Sequence, residues 1–159
     1  MQNSKFKIQN SKFKIQRVKL SLNDFNTILN LINDDHHSLT QAMKLALVTG
    51  QRVSNIAKIK WEDIHDNKLW IVQQKTGTKI TILLNTGTEF ITLTDILEKI
   101  NHDSDFIIRK NKKQITVAKI SSTFTKFRDK MKLTWDGSPP SFHKIRSLSA
   151  RIVYRKKWK

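Results

Sequence analysis

The sequence contains no cysteine, one tyrosine, two prolines, four glycines, and 13 acidic residues against 30 basic ones. Without cysteine there can be no disulfide framework, no thiolate nucleophile and no Cys-ligated zinc. No apolar run is long enough to span a bilayer. The basic N-terminus lacks the continuous apolar core of a secretory signal. The expectation is a soluble protein of the cytoplasm. Its 159 residues allow one domain with a sizeable core, and hardly two.

The shortage of acid is uneven. The formal charge is +17, yet residues 21–140 hold 17 basic and 13 acidic side chains, an ordinary balance. Residues 1–20 hold six basic side chains and 141–159 hold seven, with no acid in either end. Two purely cationic ends point to a polyanion, and nucleic acid comes first because phosphate neutralisation supplies most non-specific affinity. An anionic membrane surface fits less well, since neither end forms a long amphipathic helix with a bulky apolar face.

Residues 2–8 are repeated without change at 9–15. Phe6, Ile8, Phe13 and Ile15 alternate with lysines, a spacing of two that suits at most a short edge strand and not a coiled coil. Residues 1–16 read as a low-complexity basic tail, and 17–159 as the domain.

Within the domain, Ser21 and Asp24 form a capping-box pattern ahead of Phe25, Ile28, Leu29 and Ile32. Ser38 with Gln41 is expected to open a second helix, which Gly50 closes. A short helix over 53–60 follows Arg52. Two β-rich runs, 69–73 and 79–84, flank a hairpin turn whose Gly77 takes positive φ. Helical spacing returns over 89–100, and a short third strand is expected at 106–108. Val117, Ile120, Phe124, Phe127 and Met131 mark a longer helix. Residues 137–140 make a rigid break, and Ser141 starts the last helix. The fold class is mainly α with a small antiparallel sheet.

Three stretches carry the functional signal: Leu-Val-Thr-Gly-Gln-Arg at 47–52, Gln-Gln-Lys-Thr-Gly at 73–77, and Phe-His-Lys-Ile-Arg-Ser-Leu-Ser-Ala-Arg at 142–151. His-x-x-Arg alone is weak, but all three in this order form a specific pattern. Over residues 17–152 the chain resembles the catalytic domain of the tyrosine recombinases, most closely that of the lambda-type phage integrases. The resemblance implies that fold, duplex DNA as partner, association with other recombinase subunits, and no cofactor, metal, membrane or small-molecule substrate. It also implies that Arg52 and Arg146 hold the scissile phosphate with bidentate bonds. Lys75 would protonate the leaving 5′ oxygen, and His143 would hydrogen-bond the phosphate or assist proton transfer. His143 and Arg146, three apart, share one helical face, with Ile145, Leu148 and Ile152 opposite.

Two departures stand out. The family generally has an acid three positions after the first arginine, and here that position is Asn55. The resemblance also places a nucleophilic tyrosine about thirty residues past the second arginine, whereas 13 residues follow Arg146 here. The single tyrosine, Tyr154, lies about 12 Å along a continued helix from Arg146. It reads as a surface or helix-end aromatic. The expectation is a truncated integrase catalytic domain that binds DNA without cleaving it, incomplete at its C-terminus. The alternative is a non-catalytic regulator competing with a full-length recombinase. A metal-dependent nuclease using Asp63 and Asp66 lacks the carboxylate-x-Lys motif. An RNA-binding sheet would need exposed aromatics, and Trp70 reads as core.

Overall fold

The computed structural model describes residues 18–154; the repeat tail lies outside them. Helix α1 spans Leu22–Leu31, with Ser21 Oγ accepting the N–H of Asp24 at 3.0 Å. Phe25 and Ile28 face the core, and Ile32 already leaves the helix as its C-cap. A 3₁₀ turn over Asp34–His36 leads straight into α2, His37–Thr49. The expected cap at Ser38 and Gln41 is not formed. The Ser38 hydroxyl donates instead to the Arg109 carbonyl, and Gln41 Oε1 accepts from the Arg109 guanidinium. Both polar side chains are thus spent on holding a distant strand.

Helix α2 is the centre of the molecule. From Leu39 onward only Thr40 and Lys44 escape burial, so it has almost no polar stripe and must be enclosed on nearly every side. It ends at Gly50, whose φ of 68° is left-handed, and the Gly50 N–H closes on Ala46 O at 2.9 Å.

Helix α3, Val53–Lys58, stops two residues earlier than its apolar spacing suggested. Ile59 is extended, and Lys60 bridges to Phe106, so the chain exchanges helical bonds for a strand-like contact there. Strands β1 (Ile64–His65), β2 (Lys68–Val72) and β3 (Lys79–Leu83) form an antiparallel meander. Its register pairs Trp70 with Thr81 and Val72 with Lys79. Leu69, Ile71 and Ile82 point inward; Trp70, Val72 and Leu83 point out. Trp70 is therefore not a core residue. Its ring stacks on His65 with centroids 5.0 Å apart, and its Nε1 donates to the His65 carbonyl. Asp63 caps a short turn by accepting the Lys60 N–H, and Asp66 bonds His65.

Helix α4 is only Leu93–Glu98, capped reciprocally by Thr92 and Asp95. The residues before it form a tight turn in which Gly87 pairs with Thr92, and Phe90 stands in solvent. In place of a strand at 106–108, a two-stranded ribbon forms from β4 (Arg109–Lys110) and β5 (Lys113–Gln114). Helix α5, Val117–Asp129, buries Ile120, Phe124 and Phe127. The last helix, α6, is Lys144–Ser149, and its end widens into a π-turn, Ala150–Tyr154. The widening adds a residue per turn, so Val153 is buried and Ile152 only partly so.

Helix α2 packs on α3, α4, α5 and, most extensively, α6. Gly50 is a point of close approach in the α2–α6 packing. A Cβ there would lie 3.2 Å from the Tyr154 ring and 3.3 Å from Ser149 Oγ. Gly50→Ala combines a left-handed backbone with that crowding, and should lower unfolding free energy by about 1–2 kcal/mol. A urea titration measures this, and an unchanged midpoint would show that the junction relaxes freely.

Candidate functional site

The C-terminal end of α2 and the residues after it build the site. Gly50 turns the chain, Gln51 is buried, and Arg52 sits in extended backbone as the residue preceding α3. Arg52 is thereby fixed between two helix ends, with Ile56 and Ala57 buried behind it. Arg146 reaches the same place from α6: its Nε donates to the Gly50 carbonyl at 3.0 Å. That bond satisfies a carbonyl beyond the last turn of α2, at the negative end of the helix dipole. Lys75 arrives from the β2–β3 hairpin.

Arg52, Lys75 and Arg146 line one cleft of about 220 Å³, together with Gln51, Ser54, Asn55, Gln73 and Thr76. No carboxylate is among these lining residues. Among the described residues the three ion pairs lie elsewhere, at His65–Asp66, Arg109–Asp103 and Arg128–Asp129. Partial burial lowers the Arg146 pKa from its ordinary value, and the nearby Arg52 charge lowers it further. The Arg146 guanidinium nonetheless remains charged near neutral pH. Three cations from three separate elements thus share one opening without an internal counter-charge.

His143 does not line this cleft. It is exposed, in helical backbone, one residue before α6, and its carbonyl accepts the Arg146 N–H at 3.1 Å. It therefore stands one helical turn from Arg146.

The hairpin that carries Lys75 is internally braced. The Gln73 N–H donates to Thr78 O at 2.8 Å and the Gly77 N–H to Gln73 O at 2.7 Å, with Gly77 at φ 71°. The Thr76 hydroxyl lies 2.9 Å from the Thr78 hydroxyl and 3.4 Å from Gln73 Oε1. At its base, the Gln74 N–H donates to Asn55 Oδ1. The hairpin is thereby seated beside the two arginines.

Tyr154 is half-buried, and its phenol lies 3.1 Å from Val48 O and 2.9 Å from Thr49 O. Its single proton donates to this carbonyl pair at the end of α2, and Tyr154 is not among the cleft residues. Of the expected alternatives, a surface or a helix-end aromatic, the structure shows the second: Tyr154 closes the last helical turn and is not left on the surface. The π-turn rotates the ring inward, where it covers the α2 terminus. Sequence reasoning also passed over Gln51, whose Oε1 accepts from Asn55 Nδ2 at 3.1 Å. Its only signal is its place between the turn glycine and Arg52.

A family model described as the Phage integrase family matches residues 19–159. The integrase of Escherichia phage HK022 is 43% identical over 119 residues, covering 72% of this chain and 33% of the relative. The solved lambda integrase catalytic core superposes with a TM-score of 0.83 at 34% identity, covering 89% of this chain and 88% of that one. A lambda integrase dimer bound to a COC′ core site gives the same score and identity, over 41% of its chain. The mixed helical fold with its small antiparallel sheet is that of the lambda integrase catalytic core. The chain spans about a third of the length of the curated relatives it matches.

Burial raises the Tyr154 phenol above its ordinary pKa of 10.0. The folded state therefore favours the neutral phenol. That contribution is full below about pH 10 and lost as pH climbs through the raised value. Tyr154→Phe should cost about 1 kcal/mol of stability near neutrality by deleting the hydroxyl's bond to the α2 carbonyls. The gap between the two proteins should close above about pH 10, where only the wild type must bury or protonate a phenolate. Urea midpoints compared across pH test both claims; a gap that stays constant would place the phenol in water.

Proposed function

The chain belongs to the phage integrase family, and on that premise we propose that it binds duplex DNA with a backbone phosphate in the cleft of Arg52, Lys75 and Arg146. The observation that carries this reading is the convergence of three cations on one opening that holds no carboxylate. Guanidiniums fixed at helix ends can each offer two parallel N–H donors to phosphate oxygens, with little reorganisation on binding. Arg146 has one nitrogen, Nε, committed to Gly50, which leaves its terminal nitrogens for the ligand. Lys75, exposed at the hairpin tip, is the group suited to give a proton to a departing 5′ oxygen. His143, one turn from Arg146, is the group suited to bond a non-bridging oxygen.

The lambda integrase structures support the choice of partner, since one is a dimer on a core site and another a tetramer on a Holliday junction. By the same likeness, further recombinase subunits are proposed as partners, and the cytoplasm as the place of action. Residues 17–159 form the DNA-binding unit in this reading, and the basic tail over 1–16 adds affinity without sequence preference.

Tyr154 has no part in the proposed chemistry. A nucleophile must approach phosphorus to about 3 Å, and this phenol is engaged by two carbonyls at the end of α2. This polypeptide is therefore proposed to bind DNA without linking to it covalently.

Fluorescence anisotropy with a labelled duplex tests the reading. Affinity should fall steeply with salt, and Arg52→Ala or Arg146→Ala should each reduce the logarithmic salt slope by about 1. Variants that bind as the wild type does would remove the phosphate from the cleft. A nicked duplex that traps covalent adducts should give no denaturation-resistant band. A band that vanishes in Tyr154→Phe would overturn the exclusion of that phenol.

A further inference from the structure

Asn55 occupies the position where the family resemblance calls for an acid, and its bonds give it a definite task. The side chain is buried, 6% exposed. Its amide nitrogen donates to Gln51 Oε1 at 3.1 Å, and its oxygen accepts the backbone N–H of Gln74 at 3.3 Å. The amide orientation is fixed by that second bond, because a backbone N–H can only donate. Gln74 directly precedes Lys75, at the base of the braced turn. Between that base and the cleft floor, Asn55 is the link: it belongs to α3, three residues after Arg52, and touches both the residue before Arg52 and the residue before Lys75.

We propose that Asn55 is a positioning residue that latches the Lys75 hairpin onto the Arg52–Arg146 cleft and leaves the full positive charge of that cleft unopposed. The inference rests on the reading of the cleft as a phosphate site. The turn over 73–78 is stiffened by its own hydrogen bonds, so it moves as a unit about its base, and a bond at the base governs where its tip lies. Asparagine accepts the Gln74 N–H without carrying charge. A carboxylate at the same place would accept that bond too, but would set a negative charge among three cations and weaken the pull on an incoming anion. An amide therefore separates two tasks that an acid would combine. It places the lysine, and it does nothing to balance the arginines.

The full chain, isotope-labelled, allows the two tasks to be read separately. In Asn55→Ala the Gln74 amide should exchange with solvent about fivefold faster, as expected for one lost hydrogen bond. The Gly50 amide, bonded to Ala46 at the end of α2, should keep its protection and so report an intact fold. Asn55→Ser, whose hydroxyl is too short to reach Gln74, replaces the alanine variant if that one does not fold. Asn55→Asp should restore slow exchange at Gln74 and yet bind a mixed-sequence DNA duplex several-fold more weakly than wild type. Unchanged Gln74 exchange in the alanine and serine variants would overturn the latch. Duplex binding by Asn55→Asp equal to wild type would overturn the charge argument. The exchange measurement uses no DNA, so it stands apart from the cleft reading, which fails on its own if Arg52→Ala and Arg146→Ala bind the duplex unchanged.

Discussion

The carbonyls at the end of helix α2 are the constraint on which the site depends. A helix buried on nearly all sides cannot hand its last acceptors to water, and unpaired buried carbonyls are costly. Gly50 bends the chain away in a left-handed turn, leaving Val48, Thr49 and its own carbonyl facing α6. The far end of the sequence supplies the donors: the Tyr154 phenol bonds Val48 and Thr49, and Arg146 bonds Gly50. A residue of the cleft is thus also a cap of the central helix. The position of Arg146 relative to Arg52 follows from the core's need for donors and does not wait on a ligand.

Bringing like charges together is unfavourable, and the structure offsets this locally. Arg146 gains the negative end of a helix, while Arg52 lies at the opposite, positive end of α3, where a cation gains nothing. No carboxylate in the cleft relieves the remainder. A polyanion arriving there meets donors already oriented and already repelling one another, so binding removes a penalty as well as forming bonds. Lys75 joins them on a hairpin whose inner face packs through Leu69, Ile71 and Ile82, with Trp70 and Val72 left outside. The sheet is an arm as much as a part of the core.

The residue patterns made the main elements legible wherever local and tertiary preferences agree. Ser21 caps α1, Gly50 ends α2, and Gly77 turns the hairpin, because each obeys a short-range rule that packing does not contradict. The misreadings have one common cause. Ser38 and Gln41 look like a cap but hold Arg109; 89–100 looks like a long helix, yet Gly87 and Thr92 pair first and shorten it. In each case a specific pairing outside the helical pattern prevailed, 71 residues away for Ser38 and only a short turn away for Gly87 and Thr92. The motif spacing nominated Arg52, Lys75, His143 and Arg146, and the structure gathers the first, second and fourth around one cleft, with His143 a turn away. Asn55 and Gln51 were opaque in that role, since nothing in one strand of text says that a side chain at 55 meets a backbone at 74.

The π-turn at Ala150–Tyr154 changes how the end of this sequence has to be counted. Ile145, Leu148 and Ser149 are buried along α6, and beyond the π-turn it is Val153 that is buried while Ile152 is only partly so. One extra residue has slipped into the spiral, and it shifts the phase of whatever side follows by about 100° relative to an uninterrupted α-helix. A heptad or helical-wheel reading that runs straight through residue 150 would put Ile152 inside and aim Tyr154 along the His143 and Arg146 face. The wider turn instead aims that ring at the central helix, so a helical wheel drawn straight through residue 150 misplaces the side chains beyond it.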